Sequence, residues 1–70
     1  MEIEFTRHAE FRMIKRKILK QEVLAAIRQP DKILKKYDKY YFQKSLNRGK
    51  IEVVCEKIEN NIKIITLYWI

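Results

Sequence analysis

Seventy residues leave room for one domain (1–70) with a thin core, and a single cysteine and a single histidine exclude an internal disulfide and a four-ligand structural zinc site. Sixteen lysines and arginines against nine acids give a net charge of +7 and a pI near 9.7, the electrostatic signature of a polyanionic partner. One glycine and one proline rule out the Gly-rich phosphate loops of nucleotide-binding folds, and a 47% apolar composition argues against disorder.

Met1, Ile3 and Phe5 alternate with Glu2 and Glu4, a short-strand pattern. Acids stand where an export signal carries bases, and the longest apolar run, Val23 to Ile27, is far shorter than the ~20 residues that span a bilayer. The expectation is a cytoplasmic chain with no membrane partner, and the unpaired Cys55 agrees. Thr6 fits a helix N-cap, with Glu10 near the start of a basic helix over about Arg7 to Lys17. Phe11, Ile14 and Ile18 fall at i, i+3 and i+7 and form the expected inward stripe. His8, Arg12 and Arg16, at i, i+4 and i+8, form a second stripe beside it, with Lys15 close to the same line.

The segment Lys17 to Lys20 reads as a break before a second helix over about Lys20 to Gln29, with Leu19, Val23, Ala26 and Ile27 inward and Pro30-Asp31 ending it. The remainder alternates as β-structure. Ile33-Leu34 lies in a short Lys-rich edge strand. In Lys39 to Leu46, Tyr40, Phe42 and Leu46 face one way and Tyr41, Gln43 and Ser45 the other. Asn47 to Lys50 is a hairpin turn with Gly49 at the position of positive φ. Ile51, Val53 and Cys55 then share a face opposite Glu52, Val54 and Glu56, and Asn60-Asn61 makes the next turn. Ile62 to Ile70 is apolar on both faces, as a central strand would be. The fold class expected is α+β in two layers: a short N-terminal strand and two helices on one face of a three- to four-stranded antiparallel sheet, whose other face stays open for a ligand.

His8 is the candidate catalytic residue, because imidazole is the side chain whose ordinary pKa, about 6.5, suits proton transfer near neutrality. Arg12 and Arg16, one and two turns along, could hold a phosphate beside it. A histidine with two arginines is a sensible set of parts for phosphodiester cleavage without a metal. It supplies a proton acceptor or donor and cations for the developing charge. Neither metal-ligand spacing nor any dinucleotide, P-loop or nucleophile-elbow motif occurs, so no cofactor is expected. Thr66 and Tyr68 share the open face by alternation, opposite Ile65, Leu67 and Trp69, which should meet the helices. Tyr41 extends that polar face. Aromatic residues interleaved with Lys39, Lys44, Arg48 and Lys50 could alternatively be a base-stacking surface. Cys55 is most simply a small buried hydrophobe.

The run Phe5-Thr6-Arg7-His8-Ala9-Glu10-Phe11-Arg12-Met13-Ile14-Lys15-Arg16-Lys17-Ile18 resembles the opening motif of domain-of-unknown-function family 4258, with His-Ala followed by two arginines and an isoleucine. Glu22-Val23 with Ile27 and Pro30 resembles its second motif, and Ile64-Ile65-Thr66-Leu67-Tyr68 resembles its closing strand, so the likeness spans nearly the whole chain. That family is similar to small RelE- and BrnT-like toxins and to the wider barnase–EndoU–colicin–RelE group. The resemblance implies a RelE-like fold, a metal-independent ribonuclease activity, His8 and Arg12 as the helix contribution and Thr66 with Tyr68 from the last strand. Arg16 matches the motif in either a phosphate-binding or a structural role.

Three functions follow as expectations. The first is a toxin-type endoribonuclease acting on RNA or on the ribosome, with Arg16, Lys15, Tyr41, Lys44 and Arg48 as nucleic-acid contacts. The second is a non-catalytic basic RNA- or ribosome-binding module, which needs the charge but not His8. The third is a protein-interaction domain whose open sheet face is covered by an acidic antitoxin segment.

Overall fold

The computed structural model describes residues 2–70, in which two helices pack on one face of a five-stranded mixed sheet. In chain order the elements are β1 (Ile3–Phe5), α1 (Arg7–Arg16), α2 (Lys20–Arg28), β2 (Lys32–Lys36), β3 (Lys39–Leu46), β4 (Gly49–Ile58) and β5 (Asn61–Trp69). The sheet order is β1-β5-β4-β3-β2. Strands β2 to β5 form the antiparallel meander that the alternation predicts. The expected three- to four-stranded antiparallel sheet is corrected by β1, which joins as a fifth strand parallel to β5, with Ile3 opposite Ile62 and Phe5 opposite Ile64. Alternation reveals a strand but not its partner, and the partner of β1 lies at the other end of the chain.

Tight turns set the registers. Tyr37 and Asp38, at φ 51° and 64°, make the two-residue link between β2 and β3, with the positive φ at both central residues that a type I′ hairpin needs. Asn47 and Arg48 link β3 to β4, and Gly49 follows at φ 145°. A Cβ on Gly49 would lie 3.2 Å from the Trp69 ring, so this glycine serves both the backbone angle and the close approach of the indole. The last turn sits one residue earlier than expected: Glu59 and Asn60 form it, Glu59 has φ 57°, and Asn61 already pairs with Ile58.

The helix-covered face of the sheet carries Phe42, Ile51, Val53, Cys55, Ile62, Ile64 and Leu67, all buried. From the helices, Ala9, Val23, Ala26 and Ile27 complete the core, and Ile18 joins it from the link between them. Tyr40 and Trp69 pack half-buried at its margin. Burial pushes the Cys55 thiol up to about 12, so it packs as an inert hydrophobe.

Two inward stripes differ from expectation. Of Phe11, Ile14 and Ile18, only Ile18 is buried; Phe11 is 56% and Ile14 80% exposed. Ala9 and Met13 face the sheet instead, and Phe11 and Ile14 sit about 160° and 140° around α1 from Ala9. The small Ala9 side chain lets α1 lie close against β5. Leu19 is also outside the core, at 52% exposure, because it is the N-cap of α2 rather than a residue of its inner face. Its backbone N–H donates to Glu22 Oε1 at 2.9 Å, which replaces the missing side-chain cap. Lys17 closes α1 in the left-handed region (φ 57°, ψ 46°), and the Ile18 N–H returns to Met13 O at 2.9 Å.

The decisive irregularity is a β-bulge in β5. Val54 pairs with Thr66 but Cys55 pairs with Ile64, so Ile65 is the extra residue. Ile64, not Ile65, therefore enters the core. Beyond the bulge the alternation restarts, with Leu67 inward and Thr66 and Tyr68 on the open face. Thr6 captures the bulged carbonyls. Its hydroxyl donates to Ile64 O at 2.7 Å and weakly to Ile65 O at 3.3 Å, while accepting the Ala9 N–H at 3.1 Å as the α1 N-cap. Thr6→Ala removes both the cap and the bulge anchor. It should cost about 1–2 kcal/mol in urea unfolding, the upper half of the usual cap range, with Thr6→Ser restoring most of it.

Candidate active site

Because Thr6 ties the first turn of α1 to the β5 bulge, the second helical residue, His8, is set beside the first residue past the bulge, Thr66. His8 Nε2 lies 3.2 Å from Thr66 Oγ1. One turn along, Arg12 Nε donates to the same His8 Nε2 at 3.4 Å. This hydrogen-bond network assigns the imidazole proton to Nδ1, with Thr66 donating to Nε2. The cluster is open to solvent on the His8 side. It also sits at the positive end of the α1 dipole, where an anion is favoured. His8, Arg12 and Thr66 are thus brought together.

Tyr68 belongs to a second cluster two residues along β5, about 7 Å from Thr66 on the same face. Its hydroxyl donates to Glu52 Oε1 at 2.5 Å, and Gln43 Nε2 donates to Glu52 Oε2 at 2.8 Å. Desolvation, the hydrogen bond to the Glu52 carboxylate, its charge and neighbouring Tyr41 push the Tyr68 phenol up to about 12. At neutral pH it is a hydrogen-bond donor, not a base. Tyr41, opposite the buried Val54, completes this polar row on the open face. Glu52 is not among the expected site residues, and Gln43 is expected only beside Tyr41 on the polar face. The β3–β4 turn alone makes them cross-strand neighbours, but only the bulge brings Tyr68 to Glu52; an unbroken register would face Glu52 with Leu67.

The remaining expected contacts scatter. Arg16 lies at the end of α1 with an exposed side chain, and its carbonyl accepts the Trp69 indole N–H at 2.8 Å. The Lys15 ammonium stands 5.7 Å from the Phe11 ring centre. Lys44 and Arg48 are not with His8. Lys44 is on the helix-covered side, where its ammonium caps Gln29 O at 2.8 Å at the end of α2. Arg48 bonds Glu22 Oε1 at 2.6 Å and Lys17 O at 2.9 Å and stacks 5.2 Å from the Trp69 ring centre. Both cations thus secure the helix layer.

That bracing has a pH signature. Burial works against the Glu22 charge, but the Leu19 N–H and the Arg48 guanidinium outweigh it and hold the carboxyl below its ordinary value of 4.5. A depressed folded-state pKa adds stability above the ordinary value, and that stability is lost as pH falls through the folded value. Glu22→Gln should lower the urea midpoint at neutral pH and flatten its fall below about pH 4.5; an unchanged acid slope would remove this pair as its cause.

Among the described residues, no three His, Cys, Asp or Glu side chains converge as metal ligands, and no helix is long and apolar enough to cross a membrane. No curated protein and no solved structure matches the chain. A family model does match, over residues 5–69, which include His8, Arg12, Thr66 and Tyr68. The chain belongs to the family described as Domain of unknown function (DUF4258).

Proposed function

We propose that this protein is a metal-independent endoribonuclease of the RelE/BrnT-like toxin type, acting in the cytoplasm on free or ribosome-bound RNA. The observation that carries this is the exposed triad in which His8 Nε2 is held by Thr66 and Arg12 at the positive end of α1. RNA draws the Arg12 and Thr66 donors onto its phosphate, and the Nε2 lone pair so freed accepts the proton of a ribose 2′-OH as that oxygen attacks phosphorus. Arg12, with Arg16 one turn beyond, offsets the charge building on the phosphoryl oxygens. The products are a 2′,3′-cyclic phosphate and a 5′-hydroxyl, the leaving oxygen taking its proton from solvent at this open edge. Thr66 acts through His8 as a positioning residue, and Tyr68, whose single hydroxyl proton is held by Glu52, offers its ring to an adjacent base.

The test is cleavage of end-labelled RNA in EDTA by wild type and His8→Ala, repeated on translating ribosomes. Cleavage by wild type alone supports the proposal; equal cleavage by both rejects it.

The non-catalytic RNA-binding alternative has its own support. Lys32, Lys36, Lys39, Lys50 and Lys63 share the open face with Tyr41 and Tyr68 by register, and of these only Lys39 pairs with a carboxylate, Glu56 at 3.8 Å, among the described residues. Steeply salt-dependent binding without cleavage on either substrate would favour it.

A further inference from the structure

We infer that the apolar groove between α1 and the start of α2 docks an acidic amphipathic helix of another protein. Ile14 is 80% and Leu19 52% exposed, two large aliphatic side chains that line one hollow of a 70-residue chain. Scattered exposed apolar residues need no explanation, but apolar residues gathered in one concavity do. The concave site measures about 660 Å³ and is lined by Met13, Ile14, Ile18 and Leu19 on its apolar side and by Lys17, Lys20 and Arg48. A second hollow beside it, also lined by Met13, Ile14 and Lys20, extends the depression to Phe5 and Glu10.

The chemistry of the rim selects the occupant. Arg48 is already paired with Glu22, but Lys17 and Lys20 face one acid, Glu10, and neither pairs with a carboxylate among the described residues. An occupant rich in Asp and Glu with apolar anchors matches both features. A second copy does not: a two-fold contact through this groove would set Lys17 and Lys20 of one chain against the same residues of the other, each chain carrying +7. RNA would satisfy the cations but leave the aliphatic Ile14 and Leu19 without a π-face to meet. α1 is 10 residues long, about 15 Å, so two to three turns with apolar anchors at i, i+3 or i+4, and i+7 span the groove. Ile14 and His8 lie about 120° apart around α1. The docked helix therefore leaves the His8 edge open, unlike a segment laid across the open sheet face. This inference does not depend on the ribonuclease proposal.

The test is selection of a displayed library of randomised helical peptides on the full chain, followed by fluorescence anisotropy of the enriched peptides against wild type and Ile14→Glu. Ile14 is so exposed that the substitution leaves the fold intact, which the circular dichroism spectrum and urea midpoint check. The expected result is enrichment of net-acidic amphipathic peptides that lose roughly tenfold or more in affinity with Ile14→Glu and weaken with salt. No enrichment, neutral or basic winners, or winners indifferent to Ile14→Glu would overturn the proposal. So would a wild-type dimer in sedimentation that Ile14→Glu dissociates, or binding to anionic vesicles or to RNA that Ile14→Glu abolishes; these assign the groove to a second copy, a membrane surface or nucleic acid.

Discussion

Under the proposed ribonuclease activity, His8→Ala is expected to lower RNA cleavage in EDTA by about 10²–10⁴-fold, the usual worth of a positioned proton-transfer group. The denaturation midpoint should stay near that of wild type, because His8 is exposed and is not part of the core. Thr66→Val gives a smaller loss, since it removes the hydroxyl that orients the imidazole while leaving the imidazole itself. Its expected signature is a fall in kcat with little change in KM, whereas Arg12→Ala, which removes the proposed phosphate contact, should raise KM as well. Arg12→Lys does not rescue fully, because an ammonium cannot reproduce both the Nε bond to His8 and a planar contact to phosphate. A His8→Ala protein that cleaves like wild type would remove the imidazole from the mechanism.

The second large effect is on stability and tests the bulge. Ile64→Ala costs about 2–5 kcal/mol, since Ile64 is fully buried against β1 and the helices. A chain of this length has only about 4–10 kcal/mol in total, so the variant is expected to be partly or wholly unfolded at 37 °C. Ile65→Ala, one residue along, costs less than about 1 kcal/mol, because the bulge leaves Ile65 half-exposed and outside the core. Urea midpoints of the two variants decide the matter. The reverse order, with Ile65→Ala the worse, would mean that β5 carries Ile65 rather than Ile64 into the core, as unbroken alternation back from Leu67 has it, and that no bulge lies at Ile65.

The pair Thr66 and Tyr68 shows how far a pattern reaches. Alternation assigns both to one face of a strand, and the structure agrees. The same alternation assigns Ile65 inward with Leu67, which fails because a period of two holds only while the register is unbroken. Likewise the His8–Arg12 spacing is legible as neighbours on a helix, and they do touch. Lys44 and Arg48, equally plausible as phosphate contacts by type and charge, end in caps and an ion pair that secure α2. Residue type alone does not say whether a cation is spent inside the fold.

What this sequence determined by itself is local: the Thr6 cap, the extents of both helices to within a residue or so, four antiparallel strands and two of the three turns that join them, one of them a residue late, and the small buried Cys55. These follow from interactions within a few residues, such as capping, periodicity and turn chemistry. Only the tertiary structure decided the parallel pairing of β1 with β5, the bulge at Ile65, the outward turn of Phe11 and Ile14, and the meetings of His8 with Thr66 and of Tyr68 with Glu52. Each joins residues far apart in the chain or depends on one that does. Such contacts are settled by which arrangement buries Ile62, Ile64 and Leu67 together while Thr6 satisfies the carbonyls of the bulge, a condition on the whole molecule.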